Sequence, residues 1–292
     1  MKNCISVFLI LCLLMAGCSP QQPPAQIAAT TLPVWEFTTR LCEGTGITVT
    51  RLVTESVSCL HDYTLQVGQM RAIEGAEVIV ISGAGLEEFL HDALHGADSI
   101  IDSSSGIELL CPEEGHNHSH DDHGHHHEND PHIWLSPANA AVMARNICEG
   151  LTAQYPQYKG TFEGNLTELL ADLDTLDAYG KEQLVNLSCR DIITFHDGFS
   201  YFAEYYGLHI LRAVEEESGS EASAAELIGL IEEVEHHHLP AIFIEANGAD
   251  AAARTISAET GAEIFTLDMA MAGDSYFDAM YRNIDTLKEA LE

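Results

Sequence analysis

One pattern constrains this chain more than any other: short β-rich runs alternate with helix-patterned stretches, and the alternation occurs twice. Parallel neighbours in a sheet need a crossover connection, usually a helix, so the pattern predicts parallel sheets. In the first half, strands are predicted over 26–31, 48–53, 77–82 and 99–101, with helices over 34–43, 63–74 and 86–94. In the second half, strands are predicted over 191–195, 209–214, 241–244 and 263–267. Helices are predicted there over 199–206, 222–236, 249–260 and 276–291.

Two further helices separate the halves. The segment 137–154 follows Ser136, a favourable N-cap, and has Pro137 in its first turn. The segment 162–187 carries Leu166, Leu169, Leu170, Leu173, Leu176 and Leu184 near helical spacing. It reads as one long helix joining the halves, with Gly180 the point where it is expected to kink or break. The predicted fold is α/β: two lobes, each with a parallel sheet of about four strands flanked by helices. The corresponding division is 1–17 leader, 18–26 tether, 27–135 N-terminal lobe, 136–188 connecting helices and 189–292 C-terminal lobe.

The N-terminus has its own signature. Lys2 precedes an apolar run over 5–16. That run is shorter than the roughly 20 residues a membrane-spanning helix needs, and fits a secretory leader. Leu14-Met15-Ala16-Gly17-Cys18 resembles a bacterial lipobox, which makes Cys18 the expected lipidated residue and 18–26 a Pro/Gln tether. The mature protein is expected outside the cytoplasm, on the periplasmic or outer face of the cell membrane. After Cys4, Cys12 and Cys18 are set aside, Cys42, Cys59, Cys111, Cys148 and Cys189 remain, an odd number with no CxxC pair.

Twelve Lys+Arg against 46 Asp+Glu give a formal charge of −34. Nucleic acid is therefore excluded as an expected partner, and cations are favoured. Of the 16 histidines, His116, His118, His120, His123, His125, His126 and His127 crowd one polar loop, 113–130. Neutral imidazole is the commonest metal ligand, and this tract reads as an auxiliary metal-binding loop. His236-His237-His238 ends a predicted helix, where cations suit the carbonyl end.

Ligands of open parallel sheets bind beyond the carboxyl ends of the strands. His196, Glu245 and Asp268 each directly follow a predicted strand of the second half. His61 lies in the loop after the second strand, and His132 lies between the polar loop and the next helix. Each alone reads more easily as structural, but their joint placement points into one cleft.

Residues Cys59-Leu60-His61-Asp62-Tyr63, Asp130-Pro131-His132-Ile133-Trp134-Leu135, Phe195-His196-Asp197-Gly198-Phe199-Ser200-Tyr201-Phe202, Ile242-Phe243-Ile244-Glu245 and Leu267-Asp268 carry a resemblance. In order and spacing they resemble the metal-specific substrate-binding proteins of ABC transporters, the cluster A-I group with its high-affinity zinc-uptake receptors. The resemblance implies two lobes joined by a long rigid helix, a metal held by His61, His132, His196 and Asp268, and an ABC permease as partner. It implies no enzymatic step. Leu60 stands where the family commonly has Pro, which makes Cys59 a possible extra ligand beside the reading as a small buried thiol. Glu245 is read as a partner that orients a ligand histidine, or as a distant further ligand.

Three imidazoles and one carboxylate suit Zn²⁺, and His196 disfavours Mn²⁺, which prefers more oxygen. The expected function is capture of Zn²⁺ by a monomeric, membrane-anchored receptor for import. The alternatives are a zinc-storage or adhesin-type surface lipoprotein using mainly the histidine loop, and a zinc hydrolase with Glu245 as base. Asp268 would close the hydrolase's open position, and no HExxH is present.

Overall fold

The structure is a computed structural model that describes residues 26–55, 60, 63–97, 99–110, 129–214, 223–246 and 250–292. Its N-terminal lobe contains β1 (Ile27–Ala29), α1 (Leu32–Leu41), β2 (Val49–Arg51), α2 (Val67–Glu74), β3 (Val78–Ile81), α3 (His91–Leu94) and β4 (Ile100–Asp102). Two helices follow, α4 (Pro137–Gln154) and α5 (Lys159–Gln183). The C-terminal lobe contains β5 (Asp191–Thr194), α6 (Ser200–Tyr206), β6 (His209–Ala213), α7 (Ala224–His237), β7 (Ala241–Glu245), α8 (Ala251–Thr260), β8 (Glu263–Leu267) and α9 (Tyr276–Leu291).

Each lobe holds a four-stranded parallel sheet, ordered β2-β1-β3-β4 and β6-β5-β7-β8. The two orders are equivalent. In both, the chain reverses direction across the sheet between the first and third strands, β1/β3 and β5/β7. Such a reversal opens a crevice at the carboxyl edge. The fully buried Ile27, Ala28 and Ala29 of β1 show why the run reads as apolar without alternation: helices cover both faces.

Two predicted details differ. The helix expected over 86–94 is a 3₁₀ turn, Glu88–Leu90, running into the single turn α3. Gly180 does not break the linking helix. A Cβ there would lie 2.3 Å from the Tyr206 hydroxyl, so glycine lets α6 approach α5. Leu169, Leu173 and Leu176 form the buried stripe of α5, as their spacing predicts.

One apolar cluster runs through both lobes. It contains Phe37 of α1, Trp134, Leu173 and Leu176 of α5, Phe202 of α6 and Tyr276 of α9. Polar contacts cross the same boundary. Leu32 N donates to the Met271 carbonyl (3.1 Å), Tyr276 N to Glu36 Oε2 (2.6 Å) and an Arg51 guanidinium N to the Gly273 carbonyl (2.6 Å). Helix α5 is held to α1 by the Arg40–Asp172 ion pair and to α9 by Lys288 Nζ on Gln183 Oε1, 2.8 Å. No helix among the described residues is long and apolar enough to cross a membrane.

At the N-lobe reversal, the buried Glu87 closes the carboxyl ends of β1 and β3. Its Oε1 accepts from Thr30 Oγ1 and Ser82 N, both at 2.7 Å, and its Oε2 from Gly83 N at 3.0 Å. Burial pushes its carboxyl up to about 7, against those hydrogen bonds. A carboxyl raised on folding costs nothing below its unfolded value near ~4.3, and an increasing amount as pH rises towards the folded value. The wild type should therefore lose stability relative to Glu87→Gln between pH 5 and pH 7.5, by on the order of 2 kcal/mol. Urea unfolding of both proteins at the two pH values checks this. A difference independent of pH would refute it.

Candidate metal centre

His196 and Glu245 stand at the C-lobe reversal, where β5 and β7 end. Phe195 N donates to the Phe243 carbonyl at 2.8 Å, and this pins the end of β5 against β7. The His196 Nδ1 then lies 3.7 Å from Glu245 Oε2. Burial pushes the Glu245 carboxyl up to about 8, with the charge of Asp268 adding to the effect.

His132 reaches the same place from the N-terminal side. Its segment is fixed by Asp130, whose Oδ1 accepts from His132 N (2.9 Å) and faces His132 Nδ1 (2.8 Å). Burial by itself would raise the Asp130 carboxyl, but the contacts with His132 outweigh it and hold it below the usual range. Nδ1 is thus engaged and Nε2 is the nitrogen left for a metal, the arrangement in which an outer carboxylate orients a ligand imidazole. The His132 and His196 rings are 5.3 Å apart at 84°.

Gly198 explains how the two rings fit together. A Cβ there would sit 2.4 Å from Met269 Cε, 2.8 Å from His196 Cδ2 and 3.2 Å from His132 Cε1. The carbons beside both Nε2 atoms therefore face the glycine, and Met269, the neighbour of Asp268, completes the contact. Gly198→Ala is expected to displace the rings, weaken zinc binding on the order of 10-fold and cost roughly 1–3 kcal/mol of stability through overpacking. Calorimetric titration and thermal melting measure the two effects, and wild-type zinc affinity in the variant would count against this account of the glycine.

Asp268 follows β8 and is anchored on both sides. Its backbone N donates to Asn283 Oδ1 (2.8 Å), while Asn283 Nδ2 donates to its carbonyl (2.7 Å). Its Oδ1 accepts from Ala270 N at 2.8 Å and its Oδ2 from Arg282 at 3.0 Å. An ionised carboxylate offers about four lone-pair directions, so capacity for a metal remains.

The structure thus brings His132, His196, Glu245 and Asp268 to one region. His61, Cys59, Cys18 and His116, His118, His120, His123, His125, His126 and His127 lie outside the described residues. Among the described residues, no three His, Cys, Asp or Glu side chains converge on one point. Cys42, Cys148 and Cys189 are free thiols, and burial pushes that of Cys42 up to about 12. Sequence reasoning missed the parts played by Asp130, Gly198, Met269 and Arg282. Asp130, two residues before His132, was the one with a readable signal.

Residues 27–290 match the family model described as zinc-uptake complex component A, periplasmic. The zinc-binding lipoprotein AdcA of Streptococcus pneumoniae is 31% identical over 310 residues, an alignment covering 100% of this chain and 62% of AdcA. The chain thus spans about three fifths of the length of the curated relatives it first matches. A crystal structure of a ZnuA deletion mutant with zinc bound is 28% identical with a TM-score of 0.77, covering 92% of this chain and 98% of that one. The Zn(II)-bound AdcA structure from S. pneumoniae is 30% identical with a TM-score of 0.75, covering 91% of this chain and 57% of that one.

Proposed function

The chain belongs to the family of periplasmic zinc-uptake component A proteins, and on that premise we propose that it captures Zn²⁺ outside the cytoplasm and hands it to an ABC permease for import. The reading rests above all on two histidines from opposite lobes, His132 and His196, whose rings lie 5.3 Å apart at the C-lobe reversal. His61, His132, His196 and Asp268 are the proposed ligands. Glu245, against Nδ1 of His196, orients that ring. Four protein ligands leave no open position for a reacting water, so the protein binds and releases its cargo without chemistry. Zn²⁺ accepts three imidazoles and one carboxylate readily, whereas Mn²⁺ favours more oxygen.

Residues 1–17 act as the leader in this reading, Cys18 carries the lipid that holds a monomer at the membrane, and 27–135 and 189–292 are the two lobes. The histidine loop feeds the cleft without being the site. Calorimetry on the mature chain with and without residues 113–130 tests the assignment. One tight zinc site retained after deletion supports the cleft. Loss of all tight binding would transfer the function to the loop and make the protein a store.

A further inference from the structure

Asp130, the carboxylate against His132 Nδ1, is itself held from the C-terminal lobe. Both polar groups of its backbone are taken. Its N donates to the Leu110 carbonyl at 2.8 Å, and its carbonyl accepts from the Tyr201 hydroxyl at 3.0 Å. The same hydroxyl accepts from Leu110 N at 2.9 Å. Leu110, Asp130 and Tyr201 thus close a ring of three hydrogen bonds. It ties the chain on either side of residues 111–129 to α6, of which Tyr201 is the second residue.

We propose that Tyr201 is a positioning residue for zinc binding, acting on His132 through Asp130; this rests on the reading of the metal centre given above. The relay is short. The Tyr201 hydroxyl fixes the Asp130 backbone, and Asp130 Oδ1 accepts from His132 N at 2.9 Å and faces His132 Nδ1 at 2.8 Å. The imidazole is thereby presented with Nε2 outward. Tyr201, Asp130 and His132 are all buried, so water does not readily replace a bond lost among them. Without the hydroxyl, the Leu110 N–H and the Asp130 carbonyl lose a partner, and the segment carrying Asp130 must shift to satisfy them. Tyr201 also follows His196 by only five residues. The stretch 196–201 therefore begins with one proposed ligand, gives both rings clearance at Gly198, and ends with the anchor of the other ligand. One short C-lobe segment thus sets the 5.3 Å separation and 84° angle between the two imidazoles, although His132 enters from the N-terminal side.

The test is a double-mutant cycle on the full mature chain, read as zinc affinity by competition with a chromogenic chelator. Tyr201→Phe keeps the ring and its packing and removes only the hydroxyl. It should weaken zinc binding roughly 3–10-fold, less than the 10–100-fold typical for loss of a ligand's own partner, which is the range expected for Asp130→Asn. In the Asp130→Asn background the same change should cost less than about 2-fold, because residues in one hydrogen-bond network are not additive. A purely structural role would give the same loss in both backgrounds. Tyr206→Phe is the control on the same helix: among the described residues its buried hydroxyl has no hydrogen-bond partner, and its removal should leave zinc affinity unchanged. Wild-type affinity in Tyr201→Phe, equal losses in the two backgrounds, or an equal loss in Tyr206→Phe would each overturn the proposal. His196→Ala, run alongside, separates the two levels. If it loses tight binding while Tyr201→Phe does not, the metal centre stands and the positioning role falls; if it keeps tight binding, both fall.

Discussion

Replacing His196 with alanine is expected to abolish tight zinc binding while leaving the metal-free fold intact. The imidazole sits where the C-lobe reversal and the N-terminal segment meet, 5.3 Å from the His132 ring. Removing an outer partner of a ligand typically costs 10–100-fold in metal affinity. Removing the ligand itself should cost more than this upper figure. Glu245→Gln supplies the comparison: it keeps the volume beside His196 Nδ1, removes the group's ability to ionise, and should fall within the 10–100-fold range. Titration of both variants with zinc gives the order. If His196→Ala bound as tightly as Glu245→Gln, His196 would be a bystander and the proposed ligand set would fail.

The second large effect is expected at Trp134, and it concerns stability. The side chain is fully buried in the cluster that both lobes share. Its Nε1 donates to the Met269 carbonyl at 2.7 Å, and its own carbonyl accepts from the Tyr276 hydroxyl at 2.8 Å. Its ring meets that of His132 edge-on at 5.4 Å. Truncating a buried aromatic to alanine costs about 3–5 kcal/mol. For a chain of this size that corresponds to a fall in Tm on the order of 10 °C. Trp134→Phe retains most of the volume but leaves the Met269 carbonyl without its donor, which should cost about 1–3 kcal/mol. Denaturant unfolding of the metal-free proteins separates the variants. A loss below 1 kcal/mol for Trp134→Ala would mean that the lobes are not joined through this residue.

Much of the architecture was legible because periodicity and apolar runs record it locally. The eight described strands lie within a residue or two of the predicted runs, and the four central ones, β1, β3, β5 and β7, are largely buried, which is why they read as apolar runs. The leucine spacing of α5 likewise reported its buried face. The errors arose where a long-range contact decides the local structure. Gly180 resembles a helix breaker by propensity, but it serves Tyr206, which is 26 positions away in the chain. Residues 86–94 carry a helical pattern, but Glu87 is bound to Thr30, Ser82 and Gly83 just beyond the carboxyl ends of β1 and β3, and only a 3₁₀ turn and one helical turn remain.

At the candidate site, strand ends pointed to His196, Glu245 and Asp268 because the carboxyl edge of a parallel sheet is where ligands bind. Gly198 and Met269 were not readable in this way. Their role is to leave space or fill it, which no pattern of polar residues reports. Arg282 was hidden for a related reason: it lies on α9, 14 positions beyond the Asp268 it contacts.

In the proposed transport reading, the apolar cluster that passes unbroken from α1 through Trp134 to α9 bears on how the ion is exchanged. Swinging the lobes apart would expose aromatic residues such as Phe37, Trp134 and Tyr276, which are fully buried. At about 25 cal/mol per Å² and roughly 150–250 Å² for each ring, that exposure costs on the order of 10 kcal/mol, a slowing of about seven decades. Spontaneous gaping of the whole molecule is therefore rare. In that reading, a transporter that unloads this protein has to act on the ligand side chains themselves, rather than wait for the lobes to part.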